Sequence, residues 1–186
     1  MVVVVVSSST SPTAPTAVTV ATGAFGAGQH LVGDQITAGR YYTDPSSGCY
    51  WERQSGLGGT LSEAIANYFI ADDVGQLIVD IKATDMAFET DSECGTWYDT
   101  PRHGIQVDIT AGQWLIGEQI QPGTYGASVS SSCYWERQSG FSGEFGTTID
   151  NNFTSTAGHQ LVTILASDEG FYTTDNCGSW SLSPTS

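Results

Sequence analysis

The most chemically suggestive residues in the sequence are two glutamate–arginine pairs, Glu52-Arg53 and Glu136-Arg137. Two carboxylates that face each other across a cleft are the machinery of a glycosidase. A guanidinium binds a carboxylate or an anionic ligand through paired hydrogen bonds. Each pair lies in an identical segment, CYWERQSG, so the two glutamates belong to two copies of one unit. A secreted hydrolase is therefore only an alternative, because pairing the glutamates requires a special arrangement of the copies.

The chain is a tandem repeat. The shared segment lies at Cys49 to Gly56 and again at Cys133 to Gly140, and the residues on both sides of it also match. The preceding residues return 84 positions later and the following ones 83 positions later, so one residue is deleted near Gly75 to Val79. The predicted divisions are a Val-run and Ser/Thr/Pro-rich tail at 1–23, domain 1 at 24–100, a linker at 101–106 and domain 2 at 107–186.

Four cysteines occupy equivalent places in the two copies, and the sequence has no CxxC half-site that would suggest zinc. Disulfides are the better interpretation, and they indicate an oxidising compartment, extracellular or at the cell surface. Four cysteines allow three connectivities. The repeat favours Cys49 with Cys94 and Cys133 with Cys177, because this pairing gives each copy one bridge.

Short segments with β-strand character alternate with glycine-rich turns in both copies. This pattern predicts an all-β protein of two tandem small antiparallel sandwiches or barrels, with one disulfide each. One stretch, Leu61 to Phe69, has helical character, but its counterpart Phe145 to Phe153 includes Gly146. We expect both stretches to be irregular connections with at most one helical turn.

Alternation along the repeated segment assigns its side chains to two faces. Trp51 and Arg53 share the face of Cys49, whereas Tyr50 and Glu52 point the other way. The outward residues suit a sugar face or a protein partner, and ordinary surface almost as well. The candidate ligand or partner contacts are Tyr50, Glu52, Tyr134 and Glu136. Further aromatic residues expected to be exposed are Tyr42, Tyr98 and Trp114.

The inward arginines need partners, because an unpaired buried guanidinium is very costly. Asp85 and Asp168 recur in the two copies and are the first choices for Arg53 and Arg137. We interpret Arg53–Asp85 and Arg137–Asp168 as structural ion pairs, with a ligand-binding arginine as the alternative.

The pattern GxQIxxGxY, then CYWERQSG, then IxAxDxxF and CGxW resembles repeats in secreted proteins of actinobacteria and similar bacteria. The resemblance covers Ala24 to Tyr98 and Asp108 to Leu182. It implies an extracytoplasmic β-rich domain with one internal disulfide, and it transfers no catalytic residue.

Charge limits the partners that the sequence allows. Twenty acidic residues oppose five basic ones, for a formal net charge of −15. Nucleic acid and anionic membranes are excluded as expected partners, because both require a basic patch. The sequence has no metal, phosphate or nucleotide motif, so we expect no cofactor and no metal site. Cation binding by the acidic surface stays an alternative.

The amino terminus allows two interpretations. The valine run, Met1 to Val6, is too short to cross a membrane and lacks the positive region of a full signal peptide. It is either a signal remnant or flexible tail, or a strand that adds to the sheet edge of a neighbouring molecule.

The sequence favours a secreted or cell-surface, non-catalytic binding or structural protein, with itself, a surface glycan or another protein as partner. The alternatives are a subunit of an extracellular filament assembled by N-terminal strand addition, and a secreted hydrolase.

Overall fold

A computed structural model of the protein describes residues 23–70 and 75–183. Within these ranges the chain forms sixteen short strands and two 3-10 helices, Ser92–Cys94 and Asp175–Cys177. The strands of domain 1 are β1 (Ala24–Phe25), β2 (Gly28–Leu31), β3 (Gly39–Thr43), β4 (Tyr50–Gln54), β5 (Ala64–Phe69), β6 (Leu77–Ile81), β7 (Ala87–Thr90) and β8 (Trp97–Tyr98). Those of domain 2 are β9 (Asp108–Ile109), β10 (Gly112–Leu115), β11 (Gly123–Val129), β12 (Cys133–Gln138), β13 (Thr148–Thr154), β14 (Gly158–Ile164), β15 (Gly170–Thr173) and β16 (Trp180–Leu182). The valine run lies outside the described residues.

Each domain is a sandwich of two four-stranded antiparallel sheets. The sheets of domain 1 have the strand orders β1-β8-β3-β6 and β2-β7-β4-β5, and domain 2 repeats both orders as β9-β16-β11-β14 and β10-β15-β12-β13. One disulfide lies in each half, Cys49–Cys94 in the first and Cys133–Cys177 in the second. The predicted all-β architecture of two small disulfide-bridged domains is confirmed.

Aromatic residues fill the space between the two sheets of each domain. In domain 1 the rings of Trp51 and Phe88 lie 5.9 Å apart, and Trp97 contacts Phe88 edge to face. The Trp97 indole is fully buried, and its N–H donates to Thr90 Oγ1 at 3.0 Å. Domain 2 repeats this arrangement with equivalent residues. The inward tryptophans therefore anchor both sandwiches next to their disulfides.

The expectation of irregular, partly helical connections after the repeated segments was wrong. β5 and β13 are strands that pair along β4 and β12, for example Arg53 with Ala66 and Arg137 with Asp150. Their local sequence does not favour a strand, but pairing with the repeated segment satisfies their backbone groups and overrides this preference.

Two residues expected at the surface are buried instead. Tyr42 packs between the domains in a cluster with Ile78, Leu115 and Phe141. Trp114 lies in the core of domain 2, and its indole N–H donates to the Thr110 carbonyl at 2.8 Å. The alternation within one repeat does not predict burial of Tyr42 by the neighbouring domain, whereas Trp114 is buried because β10 turns it towards the core of its own domain.

A loop of domain 2, which we call the docking loop (residues 141–144), joins the two sandwiches. The Asp80 N–H donates to the Phe141 carbonyl at 3.0 Å, and the Phe141 N–H donates to Asp80 Oδ2 at 3.2 Å. On the far side, Gln76 and Gln119 exchange side-chain hydrogen bonds of 3.0 and 3.1 Å. The domains therefore contact each other through both apolar and polar groups.

Gly143 offers a matched test of the docking loop. Its φ is +70°, and an added Cβ would lie 2.6 Å from the Trp51 ring of domain 1. The equivalent Gly59 has a φ of +67° but open space around it. We expect Gly59→Ala to cost about 1 kcal/mol of unfolding free energy from backbone strain. Gly143→Ala should cost a further amount of about 1 to 3 kcal/mol through steric overlap with domain 1.

Denaturant unfolding of the two variants beside the parent measures this difference. Equal losses for Gly59→Ala and Gly143→Ala would show that the docking loop does not press on Trp51 in solution.

Candidate functional site

The repeated segment places a line of three polar side chains on the outer face of its sheet. In domain 1 these form the first triplet, Tyr50, Glu52 and Gln54. The Tyr50 hydroxyl donates to Glu52 Oε2 at 2.5 Å, and the Gln54 amide donates to Glu52 Oε1 at 2.9 Å. Because alternate residues of a strand share a face, the triplet follows directly from its spacing in the sequence.

The first triplet makes further side-chain hydrogen bonds to neighbouring residues of domain 1. The Gln54 amide also donates to Glu89 at 2.7 Å, and Gln29 donates to the Gln54 oxygen at 2.7 Å. Burial, together with the hydrogen bond to Glu52, raises the pKa of Tyr50 to about 12. Tyr50 therefore stays protonated and continues to donate to Glu52 at any physiological pH.

The second triplet, Tyr134, Glu136 and Gln138, has the same internal geometry but different surroundings. The Tyr134 hydroxyl donates to Glu136 at 2.6 Å, and the Gln138 amide donates to Glu136 at 3.0 Å. Tyr172 takes the place that Glu89 has in domain 1, since each pairs with the middle residue of its triplet across the sheet. This replacement removes a carboxylate and adds an aromatic ring beside the second triplet.

The second triplet lines a cleft between the two domains with a volume of about 300 Å³. Across the cleft, the Tyr68 hydroxyl of domain 1 donates to the Tyr172 hydroxyl at 3.1 Å. The ring centroids of Tyr134 and Tyr172 lie 6.1 Å apart. Further lining residues are Trp51, Phe141, Gly143, Glu144 and Thr148. The cleft thus combines several aromatic surfaces with carboxylate, amide and hydroxyl groups.

Two tyrosines of the cleft, Tyr134 and Tyr172, are held in their neutral form. The pKa of Tyr134 is raised, mainly by burial and secondly by the hydrogen bond to Glu136. The pKa of Tyr172 is also raised, mainly by burial and secondly by the interaction with Tyr68. At neutral pH these groups act as hydrogen-bond donors and acceptors, and none of them supplies a phenolate.

A second carboxylate of the cleft, Glu144 of the docking loop, is paired with basic side chains of domain 1. Hydrogen bonds from Lys82 and Arg53 lower the pKa of Glu144 to about 2. Arg53 also donates to the Ser142 carbonyl at 2.7 Å. Glu144 is therefore ionised and paired at neutral pH, which suits a structural contact and not a proton donor.

The inward arginines lie against the aspartates that the sequence analysis named. Arg53 donates through Nε and Nη2 to the Asp85 carboxylate at 2.7 and 2.8 Å, and both side chains are almost completely buried. Arg137 contacts Asp168 at the same two distances but is 12% exposed. Burial of Asp168 acts to raise its pKa, but the hydrogen bonds from Arg137 and from the Leu165 N–H, together with the charge of Arg137, outweigh this effect, and the pKa is lowered. Asp150 lies 3.8 Å from Arg137 and takes the place that the docking loop has beside Arg53.

Of the four candidate contact residues, Tyr134 and Glu136 line the cleft, whereas Tyr50 and Glu52 lie on the sheet of domain 1 away from it. Sequence reasoning missed Tyr68, Tyr172 and the docking loop. These residues differ between the two copies. The sequence signal that identifies them is therefore the set of positions at which the two aligned repeats diverge.

In the described part of the chain, no helix has the length and apolar character that crossing a membrane requires. No curated protein and no solved structure matches the chain. The model of a family described as the Rv1352-like extracellular domain matches twice, at residues 6–98 and 106–181. These two matches cover most of the chain, one on each repeat, and they agree with the disulfides in indicating an extracellular location. The chain therefore belongs to the Rv1352-like extracellular domain family.

Proposed function

We propose that this protein is a non-catalytic extracellular binding protein that holds a neutral carbohydrate in the cleft between its domains. The observation that carries the proposal is the position of the second triplet, which lies beside Tyr172 and faces Tyr68 of domain 1 across one cavity. The first triplet has the same internal hydrogen bonds but does not line this cleft, so we infer that the arrangement of the two domains creates the site.

The chemistry of the lining suits a sugar. Sugar rings present C–H faces that pack against aromatic rings, and their hydroxyls both donate and accept hydrogen bonds. Tyr68 and Tyr134 supply accessible aromatic surfaces, and Glu136 and Gln138 supply acceptors and donors. A cleft of about 300 Å³ lies at the small end of ligand sites. We expect it to hold about one or two sugar rings.

Charge favours a neutral ligand over an anionic one. The chain has a net charge of −15, and Glu136 contributes a carboxylate directly to the cleft. An anionic sugar would meet an unfavourable potential at the entrance and at the site itself. The carboxylate of Glu136 accepts hydrogen bonds from two neutral side chains and keeps further lone pairs for ligand hydroxyls.

The same arrangement supports binding over hydrolysis. A glycosidase needs one carboxyl group with a raised pKa to protonate the leaving group. In the cleft, Glu144 has a lowered pKa and is held by Lys82 and Arg53. If the purified protein released reducing sugar from oligosaccharides, and Glu136→Gln abolished this release, the hydrolase alternative would replace the present proposal.

The two triplets provide a matched pair of variants for testing the site. We expect saturation-transfer NMR with a panel of neutral mono- and disaccharides to detect binding to the parent protein. Replacing Tyr134 and Glu136 by alanine should weaken binding by roughly tenfold or more, because it removes a ring surface and a charged acceptor. Replacing Tyr50 and Glu52 by alanine alters an identical pair outside the cleft and should leave binding unchanged.

Two outcomes would contradict the proposal. One is that no saccharide of the panel binds. The other is that both double variants lose binding equally, since this would place the site elsewhere or indicate general loss of structure.

Filament formation by N-terminal strand addition stays an alternative proposal. It depends on residues 2–6, which lie outside the described residues. Deletion of the valine run tests it: loss of native filaments on deletion would support strand addition.

A further inference from the structure

The interface between the domains consists of two different surfaces. Domain 1 supplies what we call the acceptor surface, on β3 and β6, and domain 2 supplies the donor surface, which includes the docking loop. The acceptor residues are Arg40, Tyr42, Ile78, Asp80 and Lys82. The donor residues are Leu115, Phe141, Glu144 and Glu169.

Because the chain is a repeat, domain 2 also has acceptor positions and domain 1 also has donor positions. The strand registers establish the equivalence: Gly39 pairs with Ile81 in domain 1, as Gly123 pairs with Ile164 in domain 2. The second acceptor positions hold Thr124, Gly126, Leu161, Thr163 and Leu165. The second donor positions hold Leu31, Leu57, Thr60 and Met86. The tandem therefore leaves one acceptor-like surface and one donor-like surface at its two ends.

Two of the ion pairs that cross the internal interface have uncharged residues at the equivalent positions on the outer surfaces. Arg40 contacts Glu169 across the interface, and the equivalent residues are Thr124 and Met86. Lys82 contacts Glu144, and the equivalent residues are Leu165 and Thr60. Each replacement removes both members of an ion pair. Neither outer surface is left with a charge at these positions that would require a partner of opposite sign.

Exposed apolar side chains occupy the outer surfaces instead. On domain 2, Leu161 and Leu165 are 59% and 46% exposed. On domain 1, Leu57 and Met86 are 51% and 49% exposed. Their counterparts at the internal interface, Ile78 and Phe141, are almost completely buried. Exposed apolar side chains at positions that contact a second domain in the other repeat indicate an interaction surface.

We propose that copies of this protein associate head to tail, with the donor surface of domain 1 in one copy seated on the acceptor surface of domain 2 in the next. A second copy is the occupant that fits, because the internal interface already shows these two backbone surfaces docked against each other. The contact is heterologous, so every assembly keeps one free donor surface and one free acceptor surface at its ends, and it extends as a chain.

The arginine of the second domain agrees with this arrangement. At the internal interface, Arg53 binds the Ser142 carbonyl and Glu144 of the incoming loop. In domain 2, Arg137 already has Asp150 beside it. The loop that would dock from the next copy has Thr60 at the position of Glu144 and therefore brings no carboxylate to Arg137. Arg137 does not need one, because Asp150 of its own domain already lies beside it.

Sedimentation velocity over a concentration series of the full chain tests the proposal. We expect species larger than a dimer to grow with concentration, and salt to strengthen this growth, since it screens the net charge of −15 and favours apolar contacts. Leu57→Asp removes the donor surface and Leu161→Asp removes the acceptor surface. Each variant alone should require roughly tenfold higher concentration to associate.

Mixing the two variants gives the sharpest outcome. Each retains one intact surface, so an equimolar mixture should form dimers and nothing larger. Phe153→Asp is the control, because Phe153 is an exposed side chain of domain 2 outside both surfaces, and it should associate like the parent. A monomeric parent at all concentrations would overturn the proposal, as would equal inhibition by all three substitutions or a mixture that stays monomeric. The cleft is separate from both outer surfaces, so saccharide binding by Leu57→Asp and Leu161→Asp should be unchanged.

Discussion

Replacing Arg53 by methionine should lower the free energy of unfolding by about 3 to 5 kcal/mol. The substitution keeps much of the side-chain volume but leaves the Asp85 carboxylate buried without its principal partner. It also removes the hydrogen bond to the Ser142 carbonyl of the docking loop. Denaturant unfolding at neutral pH measures the loss, and the variant should also hold its two domains together less firmly.

Arg137→Met is the matched control for this prediction. Arg137 has the same two hydrogen bonds to its aspartate, but it is partly exposed and makes none of the contacts with the docking loop that Arg53 makes. Its loss should therefore be smaller. Replacing Arg53 and Asp85 together by methionine and leucine should restore much of the stability, because no buried charge is then left alone. Equal losses for the two single variants would show that the contact between domains contributes nothing to the environment of Arg53.

Removal of either disulfide should have a comparable effect. The bridges close loops with sequence separations of 45 and 44 residues. The chain-entropy relation gives about 4 kcal/mol for each loop of this length. We expect the double substitutions Cys49→Ala with Cys94→Ala and Cys133→Ala with Cys177→Ala to destabilise the protein to a similar extent. For domains this small, such a loss is a large part of the total stability.

Thermal unfolding of the two disulfide variants, compared with the parent under non-reducing conditions, measures the effect. Unchanged transitions would mean that the small cores are sufficient without the bridges. A large loss for one bridge alone would mean that the two domains do not unfold as one cooperative unit.

Regularities that the two copies share made the fold predictable. Cys49 and Cys94 recur together, so the repeat pointed to one bridge for each copy. Alternation within the repeated segment placed Trp51 inward and Tyr50 outward, as the structure has them. β5 was missed because its strand pairing depends on β4 and not on its own sequence, which has little preference for a strand.

The candidate site depends on differences between the copies, which no regularity in one repeat reveals. Tyr172 replaces Glu89, and Phe141 replaces Leu57, and these changes create the aromatic cleft and the docked loop. Tyr42 is buried together with Leu115 and Phe141 of domain 2, which no pattern within domain 1 predicts. Pairs of residues that diverge together, such as Lys82 and Glu144, are the signal by which an interface within a repeat protein can be found from sequence.

An NMR titration with the disaccharide that binds best would show most directly whether the cleft between the domains is the binding site. We expect the largest chemical-shift changes at the Trp51 indole and at the backbone amides of Glu136, Gly143, Thr148 and Tyr172. The amides of Tyr50 and Glu52, which belong to the equivalent face of domain 1, should stay unchanged. Shifts confined to the first triplet or spread evenly over both domains would show that the cleft is not the binding site.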